Sequence, residues 1–188
     1  AILLFLHGGG YCIGSLNTHR SFAARLAEAG GVTVIAIDYR LAPEHPFPAA
    51  VDDAITAYRA LLREGFAPNR IVIAGDSAGG GLALAALAAL RDAGAPLPAA
   101  GIVLSPWTDL ANTGASIDSK ADNDPVLEPW ELHDFARRYL NGSDPRNSLA
   151  SPLYADFSGF PPLLIHVGDA EILRDDSTRL TQRARDAG

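Results

Sequence analysis

Five short and almost wholly apolar runs punctuate this chain, at Ile2–Leu6, Val32–Ile37, Ile71–Ala74, Gly101–Leu104 and Leu163–Val167. Runs of this length are too short for helices and suit strands buried on both faces of a parallel sheet. Between them lie stretches with helical spacing. In Phe47–Arg63 the apolar positions Val51, Ile55, Tyr58 and Leu62 recur every three or four residues, while Asp52, Asp53 and Arg59 fall on other faces. Gly80–Leu90 is apolar all round, as expected of a helix packed inside a domain. Ser21–Glu28, Glu128–Leu140 and Asp176–Ala187 complete the predicted helices. Strand and helix in alternation imply an α/β architecture, a mostly parallel sheet flanked by helices through right-handed crossovers. Ser105–Pro125 and Asn141–Pro162, rich in Asp, Asn, Ser, Gly and Pro, lack periodicity and are predicted as long loops. The chain contains no internal repeat.

Composition narrows the function classes. At 188 residues, 48% hydrophobic and 20% charged, the chain is long enough for one sizeable core and too apolar for disorder. It is expected to form a single domain over residues 1–188. Lys and Arg number 15 against 22 Asp and Glu, a net charge of −7, so no basic stripe exists to displace counterions from a nucleic acid. No apolar run approaches the roughly 18 residues of a membrane helix, and no export signal is recognisable. The single cysteine, Cys12, excludes an internal disulfide framework and a multi-cysteine metal site. It fits a reducing compartment, so a cytoplasmic location is expected. No cofactor and no metal are expected.

The sharpest local feature is Gly75-Asp76-Ser77-Ala78-Gly79, placed directly after the Ile71–Ala74 run and before the apolar helix. A Gly-x-Ser-x-Gly sequence in that setting is the pattern of a nucleophile elbow, in which a serine sits on a sharp, strained turn. Its neighbours two positions away must then be almost free of side chain. The helix that follows aims its first amides at developing negative charge. Alone the pattern is weak, since a glycine-rich phosphate loop or a plain turn reads the same. His7-Gly8-Gly9-Gly10 after the first run is the second feature, a glycine loop whose bare N–H groups suit the other half of an oxyanion hole. Together the two predict Ser77 as nucleophile and Gly9, Gly10 and Ala78 as amide donors, with Gly8 shaping the approach. His7 is expected to brace the loop rather than to titrate in a reaction.

With these motifs the chain resembles the hormone-sensitive-lipase-like family of α/β-hydrolase esterases, over essentially its whole length. The resemblance extends to Asp38-Tyr39-Arg40-Leu41-Ala42-Pro43-Glu44-His45-Pro46-Phe47-Pro48-Ala49-Ala50, Ser105-Pro106-Trp107, Ser151-Pro152-Leu153 and His166–Ser177. It implies a carboxylic-ester hydrolase that uses serine, usually on short acyl chains, and often an N-terminal helical cap. A small-molecule ester would be the partner; a homo-oligomer is compatible with the sequence. Two other readings on the same fold stay open: a binding receptor that has lost the histidine, and a serine peptidase. Asp38, Arg40 and Glu44 read either as a charge network behind the glycine loop or as a plain structural ion pair. Tyr11 and Trp107 are the candidates for substrate contact.

The triad acid is expected in the loop after the last run, where Asp169, Glu171, Asp175 and Asp176 compete. In the family this acid is usually the Asp of an Asp-Pro-Leu-x-Asp segment, and Leu173-Arg174-Asp175 matches its tail. That alignment places Glu171 at the acid, a departure that still allows imidazole to be oriented. Asp175 and Asp176 are expected to cap the helix that follows. The family order is serine, acid, histidine, and no histidine follows Glu171. His166, in a strand, is expected to point into the sheet layers. The chain has no methionine, opens inside an apolar run and stops inside a predicted helix. It is therefore read as a fragment lacking the cap, the first strands and the histidine segment. Such a fragment is expected to hydrolyse p-nitrophenyl acetate feebly and to bare Val32–Ile37 and Leu163–Val167 as sheet edges prone to association.

Overall fold

A computed structural model describes residues 1–188. All five apolar runs are strands: β1 (Ile2–Leu6), β2 (Thr33–Ala36), β3 (Ile71–Asp76), β4 (Ala100–Leu104) and β5 (Leu163–His166). They form one parallel sheet in the order β2-β1-β3-β4-β5. β3 runs two residues further than its apolar run predicts, because Gly75 and Asp76 continue the ladder opposite Val103 and Leu104 of β4. The strand thus carries the chain to the residue before Ser77. β2 and β5, with a neighbour on one side only, are each shorter than their apolar runs.

Helices α1 (Leu16–Gly30), α2 (Ala49–Arg63), α3 (Ala78–Asp92), α4 (Ser116–Ser119), α5 (Pro129–Leu140) and α6 (Arg174–Asp186) alternate with the strands. α1 starts five residues before the predicted helix. Its start is set by a capping box between Ser15 and Thr18 and its end by Gly31 in the left-handed region, while none of its side chains is fully buried. Apolar periodicity is therefore a poor guide to it. α3 is the opposite case. Twelve of its fifteen residues are buried, and it packs against β3, β4 and α2.

The two faces of the sheet are covered unequally. Leu4, Leu6, Ile71, Ile73 and Val103 join the main core with α2, α3 and residues of α6. Leu3, Phe5 and Ala74 form a small second core in which Leu26 of α1 takes part. Only β1 is buried along its whole length; β4 and β5 alternate buried or half-buried residues with more open ones. The expectation of strands buried on both faces therefore fails at the flanks. His166 is corrected with it. It shares the uncovered face of edge strand β5 with Leu164 and is exposed rather than held between layers.

The predicted Ser105–Pro125 loop is held by polar anchors. Asp176, almost wholly buried, accepts hydrogen bonds from the amides of Thr108 (2.6 Å) and Asp109 (2.9 Å). Asp175 accepts from the Ser116 amide (3.0 Å). These aspartates tie the Ser105–Pro125 loop to α6 instead of capping their own helix. Arg40 pairs with Asp53 of α2 (2.8 Å), and Asp38 accepts from the Leu16 amide (2.8 Å). Neither forms a network with Glu44. No helix is long and apolar enough to cross a membrane.

Candidate active site

Ser77 stands between β3 and α3 with φ +51° and ψ −121°, a strained conformation for a residue with a side chain. Its backbone is fixed on all sides. The Ser77 amide donates to the Leu104 carbonyl (2.8 Å), and its carbonyl accepts from Gly80 (3.0 Å), Gly81 (3.1 Å) and Trp107 (2.9 Å). The flanking glycines answer a steric demand. A Cβ on Gly75 would lie 2.2 Å from the Gly79 carbonyl oxygen, and one on Gly79 would lie 2.1 Å from that of Leu6. Ala78 opens α3, so its N–H belongs to the first-turn amides that have no partner inside the helix.

Opposite the elbow, β1 ends in the loop His7–Gly10. Gly9 (φ +124°) and Gly10 (φ +59°) hold backbone angles that side chains rarely adopt. The Gly8 amide donates to Asp76 Oδ1 (2.9 Å), which ties the loop to the residue before Ser77. From behind, the Tyr39 hydroxyl donates to the His7 carbonyl (2.6 Å). The His7 ring stacks on Tyr39 at 4.4 Å, and its Nδ1 donates to the Gly8 carbonyl (2.7 Å). Burial lowers the His7 pKa below its usual value, so the ring is neutral near pH 7 and acts as a brace.

Ser77, Gly8, Gly9, Gly10, Trp107 and Glu171 line one cavity of about 790 Å³. Of the four acidic candidates, Glu171 alone reaches it. Asp169 is exposed and lies near Lys120 and Arg174, whereas Asp175 and Asp176 are engaged with the 105–125 loop. Glu171 Oε1 accepts from the Ser105 hydroxyl (2.8 Å) and the Gly168 amide (2.7 Å). Tyr11 does not line the cavity. It is buried and stacked face to face on Tyr139 at 3.9 Å, and burial raises the pKa of its hydroxyl. The expected substrate contact is thus corrected to a core position. Trp107 does reach the wall, with its Nε1 donating to Asn112 (3.1 Å).

Sequence reasoning missed much of the remaining wall. Ile13, Phe22, Val126, Leu127, Leu132 and Phe135 make it largely apolar, and Phe135 lies against Gly10. Ile13 and Val126 are exposed, and no periodicity marks either of them. His19 is the one histidine in the wall. Its Nε2 lies 3.4 Å from Asp76 Oδ2, and no histidine is hydrogen-bonded to Glu171.

A parallel sheet, a serine elbow at the end of its middle strand and a glycine loop beside it define an α/β-hydrolase core. A family model described as alpha/beta hydrolase fold matches residues 3–188, and the chain belongs to that family, within its hormone-sensitive-lipase-like branch. It is 54% identical over 186 residues to an acetyl-hydrolase of Streptomyces hygroscopicus, covering 99% of this chain and 62% of that protein. It is 40% identical over 187 residues to an esterase of Acinetobacter venetianus, again covering 99% and 62%. The solved structure of an esterase from the bacterial hormone-sensitive lipase family superposes with a TM-score of 0.98 at 54% identity, over 100% of this chain and 63% of that one. The chain therefore spans a little under two thirds of the length of these relatives.

Proposed function

We propose that the protein is a carboxylic-ester hydrolase acting through an acyl-enzyme on Ser77, with residues 1–188 as its core. The observation that carries this reading is the shared cavity: Ser77, the Gly9–Gly10 loop and Glu171 line one space with a largely apolar wall. In the proposed reaction the Ser77 hydroxyl attacks the ester carbonyl as an imidazole takes its proton. The Gly9, Gly10 and Ala78 amides receive the oxyanion, and each donor is worth on the order of 10²–10³ in turnover. The tetrahedral intermediate collapses, the same imidazole protonates the leaving alcohol, and water then releases the acid. Glu171 orients the imidazole. The imidazole comes from outside residues 1–188, a reading supported by the absence of any histidine on the Glu171 side of the cavity. The names of the relatives, an acetyl-hydrolase and an esterase, support short acyl groups as substrates.

The test is covalent. In the longest natural form of the protein, a fluorophosphonate is expected to label Ser77, and Ser77→Ala is expected to abolish both labelling and p-nitrophenyl acetate hydrolysis. Labelling that persists in Ser77→Ala, or a wild type that binds esters without turning them over, overturns the proposal; the latter outcome would favour a receptor.

A further inference from the structure

Ser105 has no role in the chemistry described so far, yet its position is unusual. It is the residue immediately after β4, with φ +46°, a left-handed conformation that costs a non-glycine residue on the order of 1 kcal/mol or more. Strain of this kind persists only where its surroundings impose it. Here the Ser105 amide donates to the His166 carbonyl (2.7 Å), which holds the backbone at the end of the β4–β5 ladder. That geometry turns the side chain toward the loop after β5. Its hydroxyl donates to Glu171 Oε1 (2.8 Å), a residue 66 positions further along the chain.

We propose that Ser105 is the positioning residue for Glu171, fixing one carboxylate oxygen so that the other faces the imidazole. The assignment rests on the acyl-enzyme reading and adds the group that makes its acid directional. Two donors, the Ser105 hydroxyl and the Gly168 amide, converge on the same oxygen, and no side chain of this chain donates to Oε2. The approach is close. A Cβ on Gly168 would lie 2.6 Å from Oε1, so Gly168 is needed as glycine for the carboxylate to sit where it does. A glutamate has one more rotatable bond than the aspartate usual at this position, and each free bond blurs the direction in which its lone pairs point. Anchoring Oε1 from a strand end offsets that freedom, because a rigid element positions a group more accurately than a loop does.

The decisive variant is Ser105→Gly in the longest natural form of the protein. It removes the hydroxyl, keeps the amide bonded to His166 and relieves the positive φ. Turnover of p-nitrophenyl acetate and the rate of fluorophosphonate labelling at Ser77 are expected to fall together by about tenfold, the loss typical of one hydrogen bond to a charged group. KM should stay within about twofold and the melting temperature should not drop, since the loss falls on kcat alone. In a Glu171→Ala background the same substitution should have no further effect, because the group it positions is gone. Unchanged kcat in Ser105→Gly overturns the assignment while leaving Ser77 labelling, and hence the esterase reading, intact. Losses that multiply across the two backgrounds overturn it equally. A wild type that is not labelled at Ser77 overturns both.

Discussion

The two walls that meet at Ser77 are built in different ways. On the elbow side, glycines and main chain do the work: Gly9, Gly75 and Gly79 let backbone approach backbone, Gly8 and Gly10 make room for the Asp76 and Phe135 side chains, and Asp76 ties the two segments together through the Gly8 amide. On the acid side, polar side chains tether groups drawn from distant parts of the sequence. Asp124 accepts from the Ile172 amide, Ser105 donates to Glu171, and Asp176 accepts from the amides of Thr108 and Asp109. Their partners stand 48, 66, 68 and 67 residues away. A wall made of missing side chains fails sterically when one is added. A wall made of side-chain tethers fails by loosening. The contrast also sets the direction of the pH response. The elbow side buries a base, His7, and the acid side buries an acid, Asp176.

Substitutions that break this comparison should therefore differ in size. The largest loss is expected from Ser77→Ala, about 10⁶-fold in kcat, against about 10⁴-fold for Glu171→Ala, because removing an orienting acid leaves nucleophile and base in place. Steady-state hydrolysis of p-nitrophenyl acetate measures both, and a Glu171 variant as inactive as Ser77→Ala would contradict the division of roles. Next comes Asp76→Ala, which leaves the Gly8 amide without its carboxylate partner. The loop should loosen, and kcat should fall about tenfold to a hundredfold, the range for a hydrogen bond to a charged group. Asp76→Asn keeps an acceptor and should recover most of that loss.

The pH dependence sharpens the comparison. Burial, and then repulsion from Asp109, push the Asp176 carboxyl up to about 7. Between the ordinary carboxylate range near 4 and about 7, the folded chain binds the extra proton. This contribution to stability is thus present at low pH and is lost as pH rises toward 7. His7 has the opposite sign: its folded pKa is depressed, the unfolded chain takes up the proton first, and stability falls as pH drops below about 6.5. Thermal melts from pH 4 to 8 should show the Asp176 slope removed in Asp176→Asn and the His7 slope retained. An unaltered profile in Asp176→Asn would refute the assignment of that slope. The smallest effect is expected at His19. Its contact with Asp76 is a partly exposed pair, worth no more than about 1 kcal/mol, so His19→Ala should stay within about fivefold of wild type. A collapse of turnover in that variant would make His19 the base and remove the need for an external one.

The elbow wall was legible in the residues because its geometry is local. Gly75–Gly79 and His7–Gly10 are contiguous, and each glycine marks a place where a Cβ would collide, with backbone at Gly9, Gly75 and Gly79 and with the Asp76 and Phe135 side chains at Gly8 and Gly10. The acid wall was only half legible. Glu171 was singled out only by the resemblance that aligns Leu173-Arg174-Asp175 with the family's acid segment, and nothing in the chain marks Ser105 as its partner, since a strained φ and a bond across 66 residues leave no local signature. Tyr11 was misjudged for a related reason. It adjoins the glycine loop in sequence, yet a positive φ turns it onto Tyr139 and away from the cavity.

By itself the sequence determined the alternation of strands and helices and the serine turn with its glycines, because apolar periodicity and steric exclusion act within a few residues. It did not determine how the faces of the sheet are covered, which put His166 in the open, or which groups converge on the Glu171 carboxylate. Those depend on which strand is an edge and on where β4 and β5 end side by side. Only the folded chain sets them, because the contacts concerned join segments whose spacing along the chain carries no information about their distance in space.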